Sequence, residues 1–448
     1  MKIHFIGIGG IGVSALARYY LKNGARVSGS DLVESEITED LKKLGAKIII
    51  NSKLKSQKSK LNKIQKLIKE ANLVIYSPAI PKNHPELKLA KKFKIKTLSY
   101  PQALGELTKK HFTIAVCGTH GKSTTTALIG LILTKAGFDP TVIVGTKLKE
   151  FKNSNCRVGK SKYLVIEADE HFASFLNYWP KIIVLTTLEP DHLDYYKTFK
   201  NYLKAFKEFI FHLPKDGILI ANGDDKNISK LKTQISKSSF RILTYSLKNP
   251  KAKKLRKILK IPGEFNVSNA LASLKLAKIL KIPEKIALSA LSKYRGAWRR
   301  FEIKKIKINK RNVILVSDYG HHPTEVEKTL NAAREKFKNK KIICVFQPHQ
   351  YQRTYYLLEN FVKALRKVKV DKLIITDIYD VPGREEKGIK KLISAKILVE
   401  KVKRKNVFYL KKERLLDYIK KEIKGGEVLI IMGAGDIYNL WKKLSLAF

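Results

Sequence analysis

Cysteine is scarce in this 448-residue chain. Cys117, Cys156 and Cys344 are spaced neither for disulfide pairing nor as thiolate ligands of a metal. That excludes a disulfide-stapled fold and suits a reducing cytosol. Long apolar runs are also missing, because no stretch reaches the ~18 consecutive apolar residues of a membrane span. The apolar opening from Lys2 to Ala17 imitates a signal peptide, but Gly7, Gly9, Gly10 and Gly12 interrupt it and a strand pattern follows at once. Acidic residues are few, 39 against 90 lysines and arginines, for a formal net charge of +51. A nucleic-acid binder gathers such charge into one arm or stripe. Here the lysines are spread along every segment, so the charge reads as solvated surface. No nucleic-acid or membrane partner is expected, and the location expected is cytoplasmic.

What is present is organised around one stretch. A strand-like run, Thr113 to Cys117, breaks into Gly118-Thr119-His120-Gly121-Lys122-Ser123-Thr124 and then into a helical pattern. This is the layout of a phosphate cradle. Glycines let backbone N–H groups close on phosphate oxygens, the helix N-terminus adds partial positive charge, Lys122 reaches terminal phosphates and the Ser123 hydroxyl can ligate Mg²⁺. Val116 stands where the full P-loop pattern has its first glycine, so the loop is a shortened variant. It is the expected ATP site.

The length implies two to four domains, and strand–helix alternation makes them α/β. In the first, a strand at Lys2 to Ile6 leads into Gly7-Ile8-Gly9-Gly10-Ile11-Gly12, a helix from about Val13 to Asn23, and a strand from Arg26 ending at Asp31. This is a dinucleotide-type fingerprint that places a diphosphate on a helix N-terminus and a sugar hydroxyl on Asp31. A nicotinamide oxidoreductase therefore stays open at this point. Further strands are expected at Leu73 to Tyr76, ending in Ser77, and at Lys96 to Ser99, and Ser52 to Lys63 reads as a solvated loop or helix face.

In the second segment, strands at Tyr163 to Ile166 and Ile182 to Thr187 end in Glu167-Ala168-Asp169-Glu170 and Glu189-Pro190-Asp191-His192-Leu193-Asp194. Ligands bind beyond the carboxyl ends of strands in open α/β sheets, so these clusters are candidates for Mg²⁺ on ATP. Asn266 and Asn269 lie three apart on one helix face, either as caps or as partners of a base edge. After Trp298-Arg299-Arg300-Phe301, strands near Asn312 to Ser317, Lys341 to Phe346, Lys372 to Thr376 and Glu427 to Met432 alternate with helices, which indicates a further open parallel sheet. Polar residues crowd its strand ends at Asp318 to Pro323 and Gln347 to Thr354, and loops at Asp377 to Gly388 and Gly433 to Asp436 share that edge. The adjacent His321 and His322 have no Cys or Glu at ligand spacing, so substrate hydrogen bonding is favoured over zinc.

Taken in order, these motifs resemble the Mur ligases over the whole length of the chain. The resemblance implies three domains: 1–108, Rossmann-like and UDP-sugar-binding; 109–297, a central P-loop ATPase-like domain; and 298–448, a Rossmann-like domain for the amino acid. It implies ATP-dependent ligation of L-alanine to the lactyl carboxylate of UDP-N-acetylmuramate through an acyl phosphate, in peptidoglycan precursor synthesis. The alternative is a related ligase that joins a peptide to the same sugar. Gly7, Gly9, Gly10, Ile11, Gly12, Asp31 and Ser77 would then hold the UDP-sugar. Gly118 to Thr124, with Asn266, Asn269 and Arg299, would hold ATP. Ser123, Glu167 and His192 would hold Mg²⁺, and Tyr319, His321, His349 and Arg353 would line the acceptor site. Lys122, Glu167, His192, His321 and Arg353 would carry the chemistry. Four positions depart from the family pattern: Ser123 replaces a threonine, Phe265 a histidine, Gln350 a second arginine and His171 a serine.

Overall fold

A computed structural model describes residues 1–51, 58–381 and 385–446. The part of the expected Ser52 to Lys63 loop at 52–57, and residues 382–384 of the Asp377 to Gly388 loop, lie outside the described residues. The remainder of the first stretch opens a helix, Lys58–Lys69, whose Ile64 and Ile68 are fully buried.

The fold is α/β and carries three sheets. In the first, β1 (Lys2–Ile6), β2 (Arg26–Asp31), β3 (Lys47–Ile50), β4 (Leu73–Tyr76) and β5 (Lys96–Ser99) lie in the order β3-β2-β1-β4-β5, all parallel. The helix after β1 runs Ile11–Lys22, starting two residues earlier than expected because Gly10 is already the extended N-cap. The second sheet contains β6 (Phe112–Cys117), β7 (Thr141–Leu148), β8 (Ser154–Arg157), β9 (Tyr163–Glu167), β10 (Ile182–Leu185), β11 (Ile218–Asn222) and β12 (Arg241–Tyr245). Their order is β12-β11-β10-β6-β9-β7-β8, antiparallel only at β7-β8. β6, at its centre, reads Phe-Thr-Ile-Ala-Val-Cys and is buried from Thr113 onward, the near-continuous apolar run that a strand covered on both faces requires.

The third sheet comprises β13 (Glu302–Ile308), β14 (Arg311–Asp318), β15 (Ile342–Phe346), β16 (Lys372–Ile375), β17 (Val407–Tyr409) and β18 (Val428–Met432), in the order β13-β14-β18-β15-β16-β17. It is not purely parallel, since β13 pairs antiparallel with β14 at one edge. In β13 Ile306 and Ile308 are buried while Lys304, Lys305 and Lys307 are exposed, and these lysines guard the edge against pairing with another chain. Two apolar clusters cover this sheet, one around Phe346, Phe361 and Ile430, the other around Leu315, Ile374 and Leu429.

The chain forms two compact units. The first two sheets share one unit, built from 1–188, 203–249 and 269–291, whereas 189–202, 250–268 and the chain from 292 onward form the other.

Candidate active site

The loop at residues 118–124 follows directly from the turn after β6. Gly118 has φ 128°, and a Cβ there would fall 2.2 Å from Thr186 Oγ1 and 2.9 Å from the Thr187 backbone, so only glycine fits. The Thr119 N–H donates to the Thr187 carbonyl (2.8 Å) and the His120 N–H to Thr187 Oγ1 (2.9 Å), pinning the loop to the end of β10. Gly121, at φ 83°, is the N-cap of the helix Lys122–Lys135, and Asn269 Oδ1 lies where its Cβ would be. Asn266 instead donates to the Pro262 carbonyl (2.6 Å) at the start of its own helix, Glu264–Ile279.

Two acid partners organise the loop's polar side chains. Lys122 Nζ donates to the Gly118 carbonyl (2.7 Å) and lies 3.0 and 2.9 Å from the two oxygens of Glu170, which is fully buried. Burial works against the Lys122 charge, but Glu170, Asp169 and Glu167 outweigh it and keep the ammonium protonated. Burial pushes the Glu170 carboxyl up to about 7, against the downward pull of Lys122. Ser123 Oγ donates to Glu167 Oε1 (2.8 Å), and the other Glu167 oxygen accepts from the Gly145 N–H (2.7 Å). A hydroxyl and a carboxylate oxygen thus converge at the helix N-terminus, the hard-oxygen donor set that Mg²⁺ prefers.

The N-terminal glycine loop belongs to the same unit. Gly7 and Ile8 N–H both donate to the Ser30 carbonyl, and Gly9 N–H to Asp31 Oδ2 (2.8 Å). Asp31 Oδ1 accepts from the Leu32 N–H (2.8 Å), so both oxygens of this carboxylate are bonded to local backbone and shape the loop. Ser77 sits against Gly7, its Cβ 3.1 Å from where a Gly7 Cβ would be.

In the other unit, Arg353 is the centre of a buried polar cluster. Its Nε lies 3.2 Å from Asp191 Oδ1, both side chains are more than nine-tenths buried, and its Nη1 lies 3.3 Å from His349 Nδ1. Burial alone would raise the Asp191 carboxyl; Arg353, then His192, His322 and His321, overcome this and hold it well below the usual carboxylate range. His192, at φ 51°, donates its N–H to Asp191 Oδ1 (2.8 Å). A small cleft here is lined by Asp191, His192, Gln352, Arg353 and Tyr356. His349 stacks on Tyr379, with ring centroids 5.4 Å apart, and meets His321 edge-on at 5.8 Å. His321 Nδ1 donates to the Tyr319 carbonyl (3.1 Å), and burial pushes the imidazole down to about 4, so it is neutral at pH 7 with Nε2 left to accept. Gln350 follows His349 in a strained backbone, φ 70° and ψ 132°, of the kind that collects at functional sites.

Arg299 makes several local contacts. Its Nη2 donates to the Gly433 carbonyl (2.6 Å), and the guanidinium lies over the Tyr319 and Tyr438 rings at 4.9 and 4.7 Å. The acid partners Glu170 and Asp191 were not singled out from the sequence, although each stands inside a polar cluster that was.

Three family descriptions match consecutive parts of the chain: Mur ligase family, catalytic domain, over residues 2–112; Mur ligase middle domain, over 116–277; and Mur ligase, glutamate ligase domain, over 299–435. A UDP-N-acetylmuramate–L-alanine ligase of Clostridium tetani is 39% identical, covering 98% of this chain and 96% of its own. Its counterpart from Aquifex aeolicus is 37% identical, covering 97% and 95%. The crystal structure of a UDP-N-acetylmuramate-alanine ligase from Thermotoga maritima superimposes with a TM-score of 0.77 at 28% identity, covering 99% of this chain and 98% of that one. On full-length similarity and three successive domain matches, the chain belongs to the Mur ligase family.

Proposed function

We propose that the chain is an ATP-dependent ligase that joins L-alanine to the lactyl carboxylate of UDP-N-acetylmuramate in cytoplasmic peptidoglycan precursor synthesis. The observation that carries this reading is the loop in which Lys122 and Ser123, at one helix N-terminus, are matched to Glu170 and Glu167. L-Alanine is preferred to a peptide as acceptor because the relatives at 37–39% identity are named for it.

In this reading the N–H groups of Gly118 to Thr124 and the Lys122 ammonium hold the terminal phosphates of ATP, while the glycine loop from Gly7 to Gly12, with Asp31 and Ser77, holds the UDP moiety. The lactyl carboxylate attacks the γ-phosphorus, ADP leaves, and an acyl phosphate forms. The amine of alanine then displaces phosphate to give the amide and loses a proton. In this reading neutral His321 takes that proton, and Arg353, with N–H groups not spent on Asp191 and His349, anchors the alanine carboxylate. Ser123 and Glu167 suit Mg²⁺, which neutralises phosphate charge when bound, and His192 is the further ligand proposed. Asn266, Asn269 and Arg299 are assigned to the nucleotide side, and Tyr319 and His349 to the acceptor side. By the same reading 1–108 is the UDP-sugar domain, 109–297 the ATP domain and 298–448 the amino-acid domain.

The test is phosphate release from ATP by the purified chain. It should require both UDP-N-acetylmuramate and L-alanine, and release that proceeds without either one, or only with a peptide, would overturn the assignment.

A further inference from the structure

Tyr100 opens the helix Tyr100–Lys110, directly after the capping box of Ser99 and Gln102. Its ring lies against the third glycine of the N-terminal fingerprint: a Cβ on Gly12 would meet Tyr100 Cζ at 2.7 Å and the hydroxyl oxygen at 3.0 Å. The phenol therefore stands beside the N-terminus of the helix Ile11–Lys22, where a diphosphate gains most from the helix dipole. Burial first, then the charges of Glu167 and Asp169, raise the phenol and keep it a protonated donor. The neighbouring backbone is held rigidly, since Asn155 of β8 donates its side-chain amide both to the Ile11 carbonyl and to Ser14 Oγ (2.9 Å). In this arrangement the Tyr100 hydroxyl has no hydrogen-bond partner among the described residues.

We infer that the Tyr100 hydroxyl donates a hydrogen bond to a diphosphate oxygen of the UDP-sugar, supplementing the backbone of the glycine loop. This rests on the proposed use of that loop for UDP. A neutral donor suits the position: a lysine there would be drawn to Glu167 and Asp169, whereas a phenol brings no charge for those carboxylates to capture and still offers a proton to an anionic oxygen.

Tyr100→Phe keeps the ring against Gly12 and removes only the donor. With the full chain, calorimetric titration of UDP alone should show a dissociation constant about tenfold weaker in the variant, as expected for loss of one hydrogen bond to a charged acceptor. In turnover, the KM for UDP-N-acetylmuramate should rise by the same factor, with kcat and the ATP KM within twofold of wild type and the thermal midpoint unchanged. A weakened KM for UDP-N-acetylmuramate with UDP affinity intact would move the contact to the sugar acid and overturn the diphosphate assignment. Equal UDP affinity and equal KM in both proteins would overturn the role of Tyr100 while leaving the ligase reading in place. Failure of the wild type to bind UDP at all would overturn both.

Discussion

Replacing Asp191 by asparagine isolates one charge in the buried Arg353 cluster. The asparagine oxygen can still accept from the His192 N–H, so what disappears is the carboxylate facing Arg353 Nε at 3.2 Å. At an effective dielectric of ~20, two charges about 4 Å apart interact by about 4 kcal/mol. Because the side chains are only 7% and 8% exposed, solvent cannot take over the abandoned guanidinium. Loss of one partner of such a buried pair costs about 3–5 kcal/mol, and we expect about 3 kcal/mol here, since the amide keeps its hydrogen bond. Urea unfolding followed by tryptophan fluorescence measures it. The pH dependence has a definite sign: a carboxyl depressed in the folded state contributes stability above its unfolded value of ~3.9 and loses it as pH falls through the lower folded value. The gap between wild type and Asp191→Asn should therefore be flat from pH 5 to 8 and shrink only in stronger acid. Arg353, no longer held, should also orient alanine poorly, raising the L-alanine KM about tenfold with the ATP KM unchanged. Replacing both residues, Asp191→Leu with Arg353→Met, should cost less stability than the two single changes summed. A variant within ~0.5 kcal/mol of wild type with an unaltered alanine KM would refute the reasoning.

Lys122→Ala should lower ATP turnover by ~10³-fold or more and leave UDP affinity as in wild type, measured by phosphate release and calorimetry. Ser123→Ala and Glu167→Gln should each shift the Mg²⁺ titration of activity to higher concentration, because both oxygens converge at one point of the loop. Glu170 is raised to about 7 in the folded protein, so its contribution to stability is complete below the unfolded value of ~4.3 and is lost as pH rises towards 7; the thermal midpoint of Glu170→Gln should lack that decline. Gln350→Arg should tighten alanine binding by about 1 kcal/mol, read as a lower KM, if the guanidinium reaches the acceptor carboxylate, and Arg353→Ala should raise that KM far more than Gln350→Ala.

The polar strand ends were legible because a parallel α/β sheet delivers its ligand residues beyond the carboxyl ends of strands, and β1, β6 and β9 read as apolar runs that stop at glycine or acid. Strands with other signatures were not. β13 has only Ile306 and Ile308 buried, and its antiparallel pairing with β14 depends on a two-residue turn, Asn309 and Lys310, both in left-handed backbone without any glycine to signal it. Pairing across distance was equally hidden. Lys122 meets Glu170 over 48 positions and Arg353 meets Asp191 over 162, and local pattern carries no information at those separations. Motif composition therefore located the clusters, while their internal wiring had to come from the fold.

That wiring changes what the phosphate loop has to do. A lysine side chain has three N–H donors, and Lys122 already directs them at the Gly118 carbonyl, the Thr119 carbonyl and Glu170. A phosphate oxygen can then gain the ammonium only by displacing an acceptor that is already well placed, so binding is an exchange in which the retained interaction matters as much as the new one. The two carbonyls belong to the loop itself, and giving them up would open the turn that cradles the phosphates. Glu170 is the acceptor that can be released without disturbing the loop. Burial holds its carboxyl at about 7, so near neutral pH a proton can replace the departing ammonium at little cost, where an ordinary carboxylate would be left charged in a site that water cannot reach. In the proposed reading, the fully buried acid holds the lysine in position until phosphate arrives and then lets it go. Position 170 follows as the place where substitution by alanine should harm the loop most, and substitution by glutamine least.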